Sequence, residues 1–310
     1  MRSRSDRLFL LSLLPPAATI VAAMMLMIYV FVYHSVPVLV REGLTFFASS
    51  RWSPSTSLRS AFYGILPAIY GTLVTSGIAV AIALPLSLSM TLFLNEVAPP
   101  RIRAFFSTLV DMMAGLPTIV YGLWGLFVLA PLLQRLVMEP LHRYLGFLPL
   151  FSCPPISGYS VLTAGVILAI MVMPYTFALM NEAYASIPLT YREAVLAMGA
   201  SRYEASRILL SMIRPAIVGS VLLGLGRAAS ETVAVTLVIG NTPTISPCLF
   251  SSGYTIASLI ATQYGEAPLY PFMVSALYGA GLFLLVLGLA LNTVGLALVT
   301  RWRVRMGVSA

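Results

Sequence analysis

The sequence predicts an all-α integral membrane protein with six transmembrane helices and both termini on the cytoplasmic side. Three observations carry this. Of 310 residues, 59% are hydrophobic and 9% charged, and the mean hydropathy is +0.94, a balance far outside that of a soluble domain. The apolar residues gather into six runs, each long enough at about twenty residues to cross a bilayer core. The basic residues are shared unevenly between the segments that join those runs.

In chain order the spans are Leu8 to Phe31, Tyr70 to Phe93, Phe105 to Leu132, Ser160 to Met180, Ala216 to Ile239 and Tyr270 to Thr300. The first has no small-residue cleavage site after a short apolar core, so it reads as a retained anchor. An even number of spans puts both termini on one side. That side carries twelve arginines near span ends: Arg2, Arg4, Arg7, Arg101, Arg103, Arg192, Arg202, Arg207, Arg214, Arg301, Arg303 and Arg305. The other side carries five, Arg41, Arg51, Arg59, Arg135 and Arg143, so the terminal side is the cytoplasmic one.

Pro85, Pro117, Pro131, Pro174, Gly224 and Gly226 fall inside spans, where neighbouring helices can satisfy the backbone groups they free. Gly77 with Ala81, and Ser275 with Gly279, have the spacing that lets helices approach closely. The external segments Val36 to Ile69, Leu133 to Tyr159 and Asn241 to Pro268 are long for connectors and partly apolar. They are expected either as short interfacial or re-entrant helices, Tyr254 to Ala261 among them, or as ordered loops capping the bundle. No linker or repeat divides residues 1–310, which read as one transmembrane domain.

A polar stretch from Glu182 to Pro215 interrupts the apolar second half and reads as two short helices. Thr190 with Glu193, and Ser201 with Glu204, have capping-box spacing, and Gly199 between them is a helix stop. Pro188 offers an alternative start for the first helix. Ala194, Ala197 and Met198 share a helical face with Tyr191 a turn earlier, framed by Arg192, Glu193 and Arg202. Such a face can lie in a groove on another protein.

Composition also excludes chemistry. All eighteen basic residues are arginine, so there is no Walker A lysine and no Schiff-base lysine; any ATP-driven work must come from another subunit, and no cofactor is implied. The arginines flank apolar spans rather than forming an aromatic-interleaved stripe, which argues against nucleic acid. There is no HExxH and no GxSxG, and the carboxylates are scattered, so no enzyme constellation and no metal site stand out. Gly224, Gly226 and Ala229 imitate a dinucleotide fingerprint without the βαβ unit that would give it meaning. His34 and His142 are solitary and read as solvated. Cys153 and Cys248 are both external, where an oxidising compartment would allow a bridge between two loops.

Arg227 lies eleven residues into the fifth span, roughly 17 Å along it and near the bilayer midplane. Glu231 follows one turn later and can pair with it. Two readings stand: a polar path with a gating ion pair, or a buried structural pair. Thr232 and Thr236 beside Glu231 offer hydroxyls to an oxyanion or bond their own helix carbonyls. Asp111 either partners Arg227 or sits at headgroup level near a helix start.

Glu193, Ala194 and Gly199 in EAVLAMGAS resemble the EAA loop of ABC-importer permeases. GLGRAASETVAVTLVIGN (224–241), GYTIASLIATQYGEA (253–267), GLPTIVYGLWGLFVLAPLL (115–133) and LGFLPLF (145–151) resemble segments of the phosphate-importer permease family PstC; residues 1–69 carry no such motif. The chain departs from the pattern at Val195, the usual third alanine, at Met212, where a proline is common, and at Ser230, the usual second glycine of GRAxGET. The resemblance implies the MetI-like, type I ABC importer architecture in a cell inner membrane. It also implies a PstA-like permease, a PstB-type ATPase dimer and a PstS-type phosphate-binding protein as partners. Residues Glu193, Ala194, Ala197 and Gly199 would dock the ATPase, and Arg227, Glu231, Thr232 and Thr236 would line the phosphate path. The competing readings are a permease for molybdate, sulfate or phosphonate, and a phosphate-sensing membrane protein that does not transport.

Overall fold

The computed structural model describes residues 4–305; Arg2, part of the arginine count, lies outside them. Helix α1 (Arg4–Glu42) runs through the first expected span and beyond it. It is followed by a short α2 (Thr45–Ala48) and by an antiparallel pair of two-residue strands, β1 (Trp52–Ser53) and β2 (Phe62–Tyr63), a small departure from an all-α chain. Then come α3 (Leu66–Val97), α4 (Pro100–Gly115), α5 (Thr118–Leu145) and α6 (Val161–Ala185). The hairpin α7 (Leu189–Ala197) and α8 (Arg202–Met212) leads into α9 (Arg214–Ser230) and α10 (Val233–Val238). The chain closes with α11 (Ile256–Gln263) and α12 (Met273–Arg305).

Among the described residues, five helices are long and apolar enough to cross a membrane, and a sixth crossing results if α8 and α9, bent by 64°, count as one span. Two of the expected spans are reshaped. The run from Phe105 to Leu132 is divided at Leu116 and Pro117, both with extended ψ near 136° and 137°. Proline lacks an N–H and pushes the residue before it out of the helical region. The Tyr121 hydroxyl crosses this break to donate to the Met113 carbonyl at 2.8 Å. The run from Ala216 to Ile239 is divided at Glu231, so it forms α9 and α10 rather than one continuous helix.

α3 packs along α6, α9 lies against α6 and α12, and α1 lies on α12. Val38 and Ser275 touch where α1 ends and α12 begins, and Phe31 meets Gly281 further along. The two helices are therefore antiparallel, and the start of α1 and the end of α12 share one end of the molecule with the hairpin. Of the two small-residue pairs, Ser275 with Gly279 serves close approach: beside Pro37 in α1 the Val38 amide donates to Ser275 Oγ at 3.0 Å, and Phe46 and Val38 pack over Gly279. Gly77 faces open space.

The far end is capped by ordered structure that includes short helices. α11 is opened by a Thr255–Ser258 capping box and buries Ile256, Ala257, Ser258 and Leu259. A disulfide joins Cys153 to Cys248, and Met138 and Phe250 are buried beside it. The central core lies between α3, α5, α6 and α10, around Ala83, Ile167, Leu168, Val172, Val235 and Val238.

Candidate functional site

The hairpin forms as two helices, with one start corrected. Pro188, with φ −57° and ψ 140°, is the N-cap of α7 and no side chain caps it, so Thr190 and Glu193 form no capping box. Ser201 and Glu204 do: the Glu204 amide donates to Ser201 Oγ at 3.3 Å and the Ser201 amide to Glu204 Oε2 at 2.8 Å. The Ser201 amide, and then its hydroxyl, hold the Glu204 carboxyl below its ordinary value of 4.5. Gly199 between the helices has φ +84°, a conformation that a Cβ disfavours.

α7 presents two faces. Glu193, Ala194, Ala197 and Gly199 are exposed, together with Tyr191 and Met198, so the expected docking surface is open. Val195, the departure from the family's alanine, is the buried residue of this helix. Arg192 points the same way as Val195 and reaches Glu96 at the end of α3, at 3.0 Å. The Tyr184 hydroxyl on α6 donates to the same Glu96 oxygen at 2.5 Å, and the Arg192 guanidinium lies 5.7 Å from the Tyr184 ring. Sequence reasoning missed Glu96; its one signal is a lone carboxylate beside an arginine-rich end.

α8 passes to α9 through Ile213, which is fully buried with Leu209, Tyr184, Ala216 and Trp302. The end of a helix leaves carbonyls without partners. Here the Trp302 indole on α12 donates to the Met212 carbonyl at 2.8 Å, at the position where the resembled family carries proline. α9 then lies close against α12: a Cβ on Gly219 would stand 2.9 Å from the Gly295 carbonyl.

Arg227 is exposed in the last turn of α9, level with the middle of α6, because Gly224 one turn earlier packs on Val172 and Thr176. Its guanidinium lies 5.8 Å from the Tyr175 ring. The expected pair with Glu231 does not form. The helix stops at Ser230, Glu231 turns extended with ψ 126°, and among the described residues no carboxylate lies within ion-pair distance of Arg227. Ser230, the other departure, is the last residue of α9, and its hydroxyl donates to the Gly226 and Arg227 carbonyls, both at 3.1 Å. Thr232 Oγ1 contacts the Ser230 carbonyl at 3.4 Å, and Thr236 Oγ1 donates to the Thr232 carbonyl at 2.7 Å. The break therefore gathers Arg227, Glu231 and Thr232, while the hydroxyl proton of Thr236 is committed to its own helix.

The remaining candidates fall elsewhere. Asp111 is exposed in the second half of α4 and pairs with no arginine among the described residues. His34 is no loop residue; it lies in α1 and stacks on Tyr278 with ring centroids 4.8 Å apart. His142 is half-buried, its Nδ1 2.9 Å from the Phe151 carbonyl.

A polytopic helical protein whose spans leave large apolar side chains exposed, and whose discontinuous helix carries an open arginine next to a protruding hairpin, has the organisation of a transport permease. The chain belongs to the family described as binding-protein-dependent transport system inner membrane component, whose model matches residues 83–304. It is a multi-pass inner-membrane protein of that family. It is similar to the probable phosphate transport system permease protein PstC of Methanocaldococcus jannaschii, 44% identical over 290 residues that cover 94% of this chain and 92% of the relative. It is also similar to the phosphate transport system permease protein PstC of Xylella fastidiosa, 41% identical over 86% of this chain and 82% of the relative. A third relative, PstC 2 of Mycobacterium tuberculosis, is 35% identical over 95% and 92%.

Proposed function

We propose that this chain is the transmembrane permease subunit of an ATP-binding-cassette importer for inorganic phosphate. It forms one permease domain over residues 1–310 and shares the translocation path with a PstA-like permease. A PstB-type ATPase dimer docks on the hairpin through Glu193, Ala194, Ala197 and Gly199, on the cytoplasmic side that the arginine distribution indicates. A PstS-type phosphate-binding protein delivers phosphate at the disulfide end. The names of the relatives support the substrate, and the open amphipathic face of α7 supports the docking role.

The observation that carries the reading is Arg227. An arginine at mid-membrane depth costs about 2.5–3.5 kcal/mol on insertion scales and is retained where it faces a path rather than lipid. Its place at a helix break fits the broken helices that line substrate sites in transporters. When ATP closes the ATPases the hairpin moves with them, the joint at Ile213 passes the motion to α9, and the spans alternate between outward and inward access. Arg227 lowers the electrostatic barrier for the anion, and Glu231, four residues on, limits how tightly it is held.

Uptake of labelled phosphate by vesicles holding the assembled complex tests this directly. Phosphate is expected to be taken up with ATP, and sulfate, molybdate or a phosphonate in equal amount to compete weakly; strong competition by one of them assigns the path to that anion instead. Arg227→Gln is expected to abolish uptake while the ATPase still co-purifies. Normal uptake by that variant would sink the assignment.

A further inference from the structure

The hairpin is joined covalently to the membrane helices at both ends, from α6 through Ser186 and Pro188 and into α9 through Ile213, and the Trp302–Met212 bond ties the end of α8 to α12. A further contact is ionic, and it begins on the face of α7 opposite the docking surface. Among the described residues there are two ion pairs; Arg41 with Glu42 joins neighbours in α1, and Arg192 with Glu96 joins two separate elements. The second is partly shielded, with side chains 31% and 19% exposed, and Glu96 also accepts the Tyr184 hydroxyl. Asn95 beside it donates to Asn181 Oδ1 at 2.7 Å, so the same ends of α3 and α6 are tied to each other. Arg103 Nε donates to the Leu94 carbonyl at 2.7 Å and fixes the turn in which Glu96 sits.

We propose that Glu96 is a positioning residue for energy coupling, fastening the ATPase-docking helix to the end of α3 so that hairpin movement reaches that span as well as α6 and α9, with which the hairpin is covalently continuous. α7 buries Val195 alone, so apolar packing does not hold it to the spans. A charge-assisted contact is directional and lost over a short displacement, which suits a joint that must transmit motion without welding the parts. Arg192 stands one residue from Glu193, so a push on the docking face arrives at Glu96 within one helical turn.

This rests on the permease reading above, and the test separates the two. In vesicles containing the assembled complex, phosphate uptake and ATP hydrolysis are measured on the same sample, with and without the binding protein. Glu96→Gln and Arg192→Gln are each expected to lower phosphate moved per ATP by about fivefold, the upper end of what a partly exposed ion pair carries, with ATPase co-purification unchanged. Tyr184→Phe, which keeps the ring and removes one donor, is expected to fall between them and the unaltered complex. The exchange Glu96→Arg with Arg192→Glu is expected to restore the ratio, which a purely structural role for either residue would not predict. Single variants with an unaltered ratio, or an exchange no better than the singles, would overturn the proposal. If Glu96→Gln does not assemble, Tyr184→Phe decides by itself: an unaltered ratio refutes the latch. An unaltered complex that hydrolyses ATP under control of the binding protein but moves no phosphate refutes the phosphate reading instead, and the latch is then read from the binding protein's stimulation of hydrolysis.

Discussion

The two ends of the molecule are built on opposite plans. At the disulfide end the connecting segments are bound to the bundle at many points: Tyr63 to the Pro271 carbonyl, Tyr70 to Ser246, Arg41 to Leu58 and Ala61, and the Val161 and Leu162 amides to the Ser251 and Leu249 carbonyls. At the hairpin end α7 and α8 bury only Val195, Ala205 and Leu209 and expose Leu189, Tyr191, Met198 and Tyr203. Regions with few buried contacts and exposed backbone open at lower free energy than the global fold. One end is therefore a fixed frame, and the other a lightly held lever whose anchors can be removed one at a time.

The strongest way to break this contrast is to cut the crosslink. Cys153 and Cys248 are 95 residues apart in sequence, and chain entropy alone assigns such a loop about 4.7 kcal/mol. That figure presumes a freely unfolding chain. Here the loop contains α6 and the hairpin, and membrane-held helices are restrained even when packing is lost, so about 2 kcal/mol is expected, the low end for disulfides. Cys153→Ser with Cys248→Ser should lower the thermal midpoint of the solubilised protein, and reductant should lower the unaltered protein to match. An unchanged midpoint would mean that the backbone bonds of this end suffice without the crosslink.

The lever end is probed at its root by Trp302→Phe. The substitution keeps most of the buried ring but leaves the part-buried Met212 carbonyl without its donor, at a cost of about 1 kcal/mol, the low end for an acceptor left unsatisfied. The expected result is a lower midpoint, together with a faster hydrogen exchange confined to α8 and the start of α9. Exchange that rises equally at the disulfide end would show that the two ends unfold as one unit, and the contrast would fail.

What the sequence discloses follows the reach of each interaction. The apolar runs are legible because any chain that crosses lipid must present them, and Ser201 with Glu204 is legible because a capping box is complete within four residues. Breaks inside apolar runs are harder to see. Pro117 announces its own, but Glu231 ends α9 in a stretch whose composition continues unaltered through Ile239, so periodicity reads one helix where there are two. Contacts across the bundle leave no local trace: nothing around Glu96 names Arg192, and nothing around Met212 names Trp302. The departures at Val195, Met212 and Ser230 show the same limit. Each is read from sequence as an omission, whereas in the structure Val195 is buried, the Met212 carbonyl accepts from Trp302, and the Ser230 hydroxyl donates to the Gly226 and Arg227 carbonyls.

The smallest expected effect sharpens the contrast at the tip of the lever. Ser201→Ala removes the hydroxyl that caps α8 and one of the donors on Glu204, at a cost of about 0.5–1 kcal/mol for an exposed N-cap. The sign with pH is fixed by Glu204. Its folded pKa lies below the ordinary 4.5, so the stability it contributes is fully present above that value and fades as pH falls through the folded pKa. The difference between Ser201→Ala and the unaltered chain should then be constant at neutral pH and shrink in acid below 4.5. Hydrogen exchange at the Glu204 amide is the measurement that reads it, because this amide is the one Ser201 Oγ accepts from. A difference that stays constant in acid would show that Ser201 caps the helix without the carboxylate.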